Sequence, residues 1–281
     1  LLAALAEKAC VIVGDDFPCF FLPRMIKVAK KQIPVRFELI DSNGIYPMRA
    51  TEKVFARAYD FRRHLQKNLR DHLSDFPRSH PLQGAPLEEL DHLPKKITDK
   101  WPAADVAVIT QDNDALADFP IDHDVRPALM EGGSDAAQET LNDFLDNKLS
   151  AYAEDRNQPQ QDVSSGLSPY LHFGHISAHQ VFDELMQREN WSPKDLSQKA
   201  NGSSSGWWGT SETAESFLDE LITWREVGFN MCALRDDYDQ YESLPDWARE
   251  TLKEHASDKR EHIYDLEQFE HGDTHDELWN A

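Results

Sequence analysis

The sequence predicts an incomplete α/β part with a doubly wound parallel sheet, followed by an all-α domain, and three observations predict this. Near the start, an apolar segment at residues 10–13, a helical segment at 24–31 and a second apolar segment at 35–40 form a strand–helix–strand pattern. Two short apolar strands joined by a helix are typical of a parallel sheet. Residues 76–124 are rich in Pro, Asp and His, as in a linker. From residue 132 onward the pattern is helical, with no convincing strand.

We predict three regions from these changes in pattern. Residues 1–75 form the C-terminal part of an α/β domain, residues 76–131 an interdomain linker, and residues 132–281 a helical domain that is truncated at its C-terminus. The chain begins with Leu1 instead of Met and runs to Ala281 without a recognisable end. We therefore expect it to be a fragment of a longer protein, lacking both ends.

Two adjacent glycines open the predicted helical domain. Gly132 and Gly133 predict a turn, and Ser134 predicts a hydroxyl N-cap. In the helix that follows, one apolar stripe is formed by Ala137, Leu141, Phe144 and Leu145. Further along, residues 201–206 are rich in Gly and Ser and predict a flexible loop. The two tryptophans after that loop are more typical of a packing anchor than of a ligand clamp.

Composition favours a folded protein without a membrane span. Apolar residues make up 40% of the 281 residues, with seven Trp and fourteen Phe, which is enough to fill a core. No apolar run approaches the roughly 20 residues of a membrane helix, and no secretory signal is apparent. The cysteines lack metal-ligand spacing, so we predict no metal site and reduced, mostly buried thiols in a cytoplasmic protein: Cys10, Cys19 and Cys232.

The net charge of −22 argues against a nucleic-acid partner if it is taken over the whole chain. The charge is uneven, however, because residues 24–70 hold twelve Lys and Arg against four Asp and Glu, a local charge of +8. Such a patch can bind phosphates, although a solvated helical face is the simpler interpretation. We expect a helix at residues 55–73 to display four basic side chains: Arg62, Arg63, Lys67 and Arg70.

Residues 164–177 carry the pattern with the most chemical content. The stretch begins with Ser164, Ser165 and Gly166, which leave backbone N–H groups open to an anion, and Pro169 follows at a natural helix start. Oriented N–H groups at a helix start attract phosphate. On spacing alone, a Ser-rich turn that merely caps a helix explains the same residues.

A second candidate is a predicted helix at residues 217–226, whose charged residues repeat at intervals of five and six. Glu220, Arg225 and Glu226 could simply form surface ion pairs, each worth less than about 1 kcal/mol. Trp279, taken alone, would be a core residue, because most tryptophans are largely buried. The sequence contains no nucleophile elbow, P-loop or Rossmann glycine motif.

Tyr152, Arg156 and residues 164–177, in this order and at these intervals, resemble the flavin-binding core of the DNA photolyase/cryptochrome family. That family shows a Tyr, an Arg, and then Thr/Ser-Ser-x-Leu-Ser-Pro-Tyr-Leu followed by Gly-x-Ile-Ser. Residues 17–24 and several segments between 238 and 281 are similar to class II deoxyribodipyrimidine photolyases. One position departs from the pattern, since that class tends to carry Arg where Trp224 stands.

The resemblance implies a helical domain that binds FAD, and an N-terminal domain of the type that often holds an antenna chromophore, a folate or a deazaflavin. It implies that Glu220 and Trp224 border the lesion, that Trp279 belongs to an electron-relay chain, and that Arg156 and Trp224 contact DNA. It implies eight cofactor-binding residues: Tyr152, Ser164, Ser165, Gly166, Leu167, Ser168, Arg225 and Asn230.

The function that the resemblance implies is repair of cyclobutane pyrimidine dimers in UV-damaged DNA, by light-driven electron transfer from reduced FAD in a monomeric enzyme. A cryptochrome-like photosensor with the same fold and cofactor is the alternative, and an inactive remnant of the flavin domain is a third interpretation. The family's next motif, a helix with His and Arg that closes over the flavin, does not follow Ala281 in this sequence. We therefore expect this chain alone to bind FAD poorly.

Overall fold

A computed structural model describes residues 1–74, 76–78, 80, 82–85, 92–103, 106, 117, 119–125 and 128–280. Contacts between residues divide the chain into two units, Leu1–Arg235 and Asp236–Ala281. Helices make up most of the regular secondary structure of the described residues, beside one small sheet. Much of the linker predicted at residues 76–131 lies outside the described residues, and the boundaries at 75 and 131 stay predictions.

The first unit opens with the predicted strand–helix–strand pattern. A short helix, α1 (Leu2–Ala6), precedes β1 (Val11–Asp15), α2 (Leu22–Lys30) and β2 (Arg36–Ile40). The two strands are parallel, with Val11 opposite Arg36 and Asp15 opposite Ile40, as predicted. An apolar strand of a parallel sheet is expected to be buried, and β1 departs from this, because Val11 and Val13 are exposed. The sheet has two strands within the described residues.

Eight further helices are described in the first unit. They are α3 (Ala58–Asn68), α4 (Lys95–Thr98), α5 (Ser134–Asp143), α6 (Leu149–Asp155), α7 (Ser168–His172), α8 (Ala178–Arg188), α9 (Glu212–Leu218) and α10 (Arg225–Leu234). Short 3₁₀ turns lie at Met48–Ala50 and Leu69–His72.

One hydrophobic core joins residues 45–73 to the helices from α5 to α9. The predicted apolar stripe of α5 is confirmed, since Ala137, Leu141, Phe144 and Leu145 are all buried. The two adjacent tryptophans, Trp207 and Trp208, are also buried in this core, which confirms the packing anchor.

Two wide π-helical turns interrupt the helices of the core. The first π segment, Phe144–Lys148, joins α5 to α6, and the second π segment, Asp219–Trp224, joins α9 to α10. In the second segment the Arg225 N–H donates to the Glu220 carbonyl, five residues earlier. Turns of this kind place residues five apart on one side of the helix, and they are frequent at functional sites.

The loop at residues 201–206 was predicted to be flexible, but hydrogen bonds hold it in place. The side-chain amide of Gln66 donates to the Ser203 carbonyl at 2.9 Å and its oxygen accepts from Gly202 N–H at 2.7 Å. At the end of the loop the buried carboxylate of Glu215 accepts the N–H groups of Gly206, Trp208 and Gly209, which fixes the loop to α9. In this loop the Gly- and Ser-rich sequence accompanies a backbone that is held by hydrogen bonds to Gln66 and Glu215.

The helix predicted at residues 55–73 is α3 followed by a 3₁₀ turn, and two of its four predicted basic side chains make structural contacts. Arg62 forms a half-buried, two-point ion pair with Asp219, at 2.6 and 2.7 Å. Arg70 donates to the carbonyls of Pro193 and Leu196. Arg63 and Lys67 are the exposed pair that the helix presents.

Two predictions about local residues are corrected. Ser134 is the first residue of α5 and not its cap, because Gly133, with φ of 106°, takes the N-cap position. None of the cysteines is fully buried: Cys10 is exposed, and Cys19 and Cys232 are partly so. Burial and a hydrogen bond with Cys232 raise the pKa of the Cys19 thiol to about 12.

The second unit contains three short helices and one 3₁₀ turn. They are α11 (Asp246–Glu254), α12 (Leu266–Glu270), α13 (Glu277–Asn280) and the turn Tyr241–Ser243. Asp265 and Gln268 form a reciprocal capping box at the start of α12. Across the described residues of both units, no helix has the length and apolar character to cross a bilayer.

Candidate functional site

A cavity of about 670 Å³ lies between α6, the loop before α7, and the second π segment. Ten of the twelve residues predicted for the site line it: Tyr152, Arg156, Ser164, Ser165, Gly166, Leu167, Ser168, Glu220, Trp224 and Arg225. These residues come from three separate stretches of the chain, so the fold brings the predicted set together. The volume is within the range of small-molecule and cofactor sites.

The loop before α7 is shaped by a glycine and anchored by a leucine. Gly166 has φ of +66°, a left-handed conformation that favours glycine, and Leu167 is 1% exposed. Ser168 and Pro169 are the first two residues of α7, as the motif predicted. Within the described residues, the hydroxyls of Ser164 and Ser168 have no hydrogen-bond partner, so they are available to a ligand in the cavity.

Substituting this glycine tests whether the loop shape serves the cavity. Gly166→Ala forces a side chain into a left-handed conformation, 3.3 Å from Cγ2 of Thr140, and should destabilise the fold by about 1–2 kcal/mol. Gly206→Ala is the matched control, because φ is +77° and no atom lies within 4 Å of the added carbon. We expect both variants to lower the melting temperature, and Gly166→Ala alone to weaken FAD binding in a fluorescence titration. Equal FAD affinities in the two variants would contradict a role for the loop.

Arg156 lies on the cavity wall in a fixed position. Its guanidinium donates to the Ser216 hydroxyl at 2.7 Å, is 3.5 Å from the Glu220 carboxylate, and lies 5.4 Å from the centre of the Tyr152 ring. Burial, and then the charge of Glu220, raise the pKa of Tyr152. The alternative interpretation, a surface ion pair of Glu220 with Arg225, is contradicted, since Glu220 pairs with Arg156 instead.

Arg225 and Trp224 also line the cavity. The Arg225 guanidinium donates to the Asn43 carbonyl and lies 4.7 Å from the centre of the Phe229 ring. Within the described part of the chain it makes no ion pair with a carboxylate, and burial lowers its pKa. Trp224 is 53% exposed, so an open aromatic face lies next to this cation.

The second π segment explains why Glu220, Trp224 and Arg225 line the same cavity. In a regular α-helix each residue turns about 100°, so residues five apart point about 140° away from each other. The wider turn brings Arg225 back to the side of Glu220. The interval of five residues between Glu220 and Arg225 in the sequence thus corresponds to the π turn in the structure.

The alternative interpretation of Glu226 as a residue of a surface ion pair is contradicted by the structure. Its side chain is 4% exposed, and its carboxylate accepts Ile45 N–H at 2.6 Å and Tyr46 N–H at 3.1 Å. Burial raises the pKa of Glu226 to about 8, against the two hydrogen bonds and the Arg225 charge, which lower it.

Two predicted site residues do not line the cavity. Asn230 is buried on α10, where its side chain accepts Phe55 N–H and donates to the Lys53 carbonyl, so it holds the backbone of residues 53–55. Trp279 belongs to the second unit, is 59% exposed, and donates its indole N–H to the Phe269 carbonyl. It is not the core residue that its type alone suggested.

Six further residues line the cavity that were not predicted as site residues: Met130, Asn157, Pro169, Leu171, Phe217 and Leu221. Phe217, Glu220, Leu221 and Trp224 follow the i, i+3, i+4, i+7 spacing of one helical stripe, so the helical period was a usable signal for Phe217 and Leu221. Met130 and Asn157 lie in irregular segments without such a signal.

The lining suits a flavin dinucleotide by its chemistry. Three serine hydroxyls and the Arg225 guanidinium match phosphate and ribityl oxygens, which need donors. Phe217, Leu221 and Trp224 match flat, apolar ring surface. The described residues hold no group of three His, Cys, Asp or Glu that could bind a metal ion.

Several curated proteins are similar to this chain, although no protein-family model matches it. A deoxyribodipyrimidine photo-lyase of Arabidopsis thaliana is 35% identical over 252 residues, covering 86% of this chain and 44% of that protein. The enzyme of the same name from Oryza sativa subsp. japonica is 42% identical over 156 residues, covering 54% and 27%. That from Potorous tridactylus is 29% identical over 280 residues, covering 96% and 45%. The chain thus spans less than half the length of these relatives.

Among solved structures, a bacterial class III photolyase from Agrobacterium tumefaciens is similar in fold. The TM-score is 0.50 at 16% sequence identity, over 95% of this chain and 49% of that one. At this identity the likeness concerns the fold alone. The photolyase names of the relatives agree with the motif at residues 164–177 and with the residues that meet in the cavity. From its sequence and its fold, this chain belongs to the photolyase family.

Proposed function

We propose that this chain binds FAD in the 670 Å³ cavity and that the protein containing it repairs cyclobutane pyrimidine dimers in DNA with light. The observation that carries the proposal is the meeting of the serine loop, Arg156 and Arg225 in one cavity, from stretches far apart in the sequence. The names of the relatives, deoxyribodipyrimidine photo-lyases, support the same reaction class.

In this proposal the chain's own residues bind and orient the cofactor. Ser164, Ser165 and Ser168 donate to phosphate and ribityl oxygens, and Arg225 supplies the positive charge for the pyrophosphate. Tyr152 and Leu167 close the wall behind them. When bound, FAD supplies the absorption of light and the electron for the reaction, and the protein supplies the binding, orientation and electrostatics.

Trp224, Glu220 and Arg156 form the side of the cavity that we assign to the damaged DNA. Photolyases are among the enzymes that take their target out of the base stack, and a flipped base is held by stacking and polar contacts. The exposed ring of Trp224 offers a stacking surface. Arg156 keeps a positive charge at this wall, and its contacts with Glu220 and Ser216 hold it in place.

Three finer roles belong to the same proposal. Trp279 relays electrons to the cofactor, an antenna chromophore of the folate or deazaflavin type binds the α/β part, and the enzyme is of class II. The similarity of residues 238–281 to that class supports the first and third of these.

The proposal is tested by titrating the chain with FAD, and by following thymine-dimer DNA under blue light with the longer protein of which we expect it to be part. We expect FAD to bind and Ser168→Ala to weaken that binding. We also expect light-dependent loss of dimers with the longer protein. A control in the dark must leave the dimers intact. Flavin binding without repair would favour the photosensor, and failure of both the chain and the longer protein to bind FAD would overturn the proposal.

A further inference from the structure

The residue after Arg225 is anchored to a turn from the other end of the sequence. Both carboxylate oxygens of Glu226 are used, one by Ile45 N–H at 2.6 Å and one by Tyr46 N–H at 3.1 Å. The turn packs closely on the carboxylate, because a methyl group added at Gly44 would lie 2.6 Å from Cδ of Glu226. The charges near Glu226 are those of Arg225 and Asp41.

The same turn also holds Arg225. The guanidinium donates to the carbonyl of Asn43. Asn43 is itself fixed, since its side-chain amide donates to the Asp16 carbonyl at 3.0 Å and to Asp41 at 3.1 Å. Two neighbouring residues of α10 thus bind one turn, Asn43–Tyr46, and only one of them, Arg225, lines the cavity. A long arginine side chain loses considerable rotamer entropy when it is fixed, so an external tether of this kind matters for its placement.

We propose that Glu226 is a positioning residue for the cofactor site. Its carboxylate holds the Asn43–Tyr46 turn in place, and the Asn43 carbonyl on that turn holds the Arg225 guanidinium at the cavity wall. Residues 43–46 are then a part of the site although they do not line it. The inference rests on the proposed function in one respect, namely that Arg225 binds the cofactor.

Glu226→Gln keeps the size and shape of the side chain and removes its negative charge. The amide has one acceptor oxygen where the carboxylate has two, and its NH₂ group faces a backbone N–H donor. We expect Arg225 to be freed, so that the arginine reagent phenylglyoxal modifies it several-fold faster, as measured by peptide mass spectrometry on the chain without FAD. The exposed Arg63 is the internal control and should react at an unchanged rate. Working at about pH 9 keeps Glu226 ionised, above its pKa of about 8.

A double-mutant cycle with FAD as the probe distinguishes positioning from general destabilisation. Glu226→Gln should weaken FAD binding by about tenfold on its own. If Glu226 acts through Arg225, the Glu226→Gln substitution should weaken FAD binding by less than about twofold in the Arg225→Gln background. A merely structural role would lower affinity equally in both backgrounds.

The outcomes separate this inference from the proposed function. Faster modification of Arg225 with non-additive affinities supports it, whereas an unchanged modification rate or additive affinities overturns it. If neither the wild-type chain nor the longer protein binds FAD, the proposed function fails, and the phenylglyoxal rates on the chain still decide whether Glu226 positions Arg225. Should Glu226→Gln not fold, Gly44→Ala presses on the same carboxylate from the turn and should show the same change in rate.

Discussion

Replacing Arg225 with glutamine is expected to weaken FAD binding to this chain by about 10- to 100-fold, because each hydrogen bond to a charged group contributes about 1.5–3 kcal/mol. Arg225 is the cation on its wall of the cavity that has no carboxylate partner within the described residues, so its charge is available to a phosphate. Fluorescence titration with FAD measures the change directly.

The matched control for this substitution is Arg63→Gln. It removes the same charge from an exposed position on α3, outside the residues that line the cavity. We expect its FAD affinity to stay within about twofold of the wild type, since surface charges contribute little. Equal losses in the two variants would show that net charge, and not the position of Arg225, governs binding.

Deleting Thr223 is expected to abolish measurable FAD binding. The deletion removes the extra residue of the second π segment, so a regular helix would turn every residue after it by about 100° relative to α9. Arg225 would leave the cavity wall, and Glu226 would lose the two N–H groups it accepts. A buried, unpaired carboxylate is costly, so the melting temperature should fall as well.

Thr223→Val is the control that keeps the chain length. Thr223 is 4% exposed, and valine has nearly the same shape, so this variant tests the loss of the hydroxyl alone. We expect its FAD affinity to resemble that of the wild type. A deletion variant that binds FAD as well as Thr223→Val does would mean that the π turn has no part in the site.

The sequence allowed the local half of the site to be predicted. Residues 164–168 form a continuous motif, and Tyr152 and Arg156 lie one helical turn apart on α6 and its end, so their places follow from nearby residues. All of these predicted residues line the cavity. The parallel pairing of β1 and β2 was equally local, because the strand–helix–strand pattern is complete within residues 10–40.

The parts that could not be predicted depend on contacts between distant residues. Glu226 resembles a surface partner of Arg225 in the sequence, yet it accepts backbone N–H groups 181 and 180 residues earlier in the chain. Asn230 likewise binds the backbone at residues 53 and 55. Every residue except proline has the same backbone N–H and C=O groups, so the residue types do not show which backbone group a distant side chain binds.

The second π segment lies between two helices that are each held from outside. Glu215 fixes α9 to the loop before it, and Glu226 and Asn230 fix α10 to residues 45–55. Neither helix can rotate to absorb a change in length between them without losing these contacts. An inserted or deleted residue at positions 219–224 therefore changes which side chains the helix presents to the cavity, and not the length of a loop. In an alignment of related proteins, a gap placed in this helix would mark a change in the chemistry of the pocket.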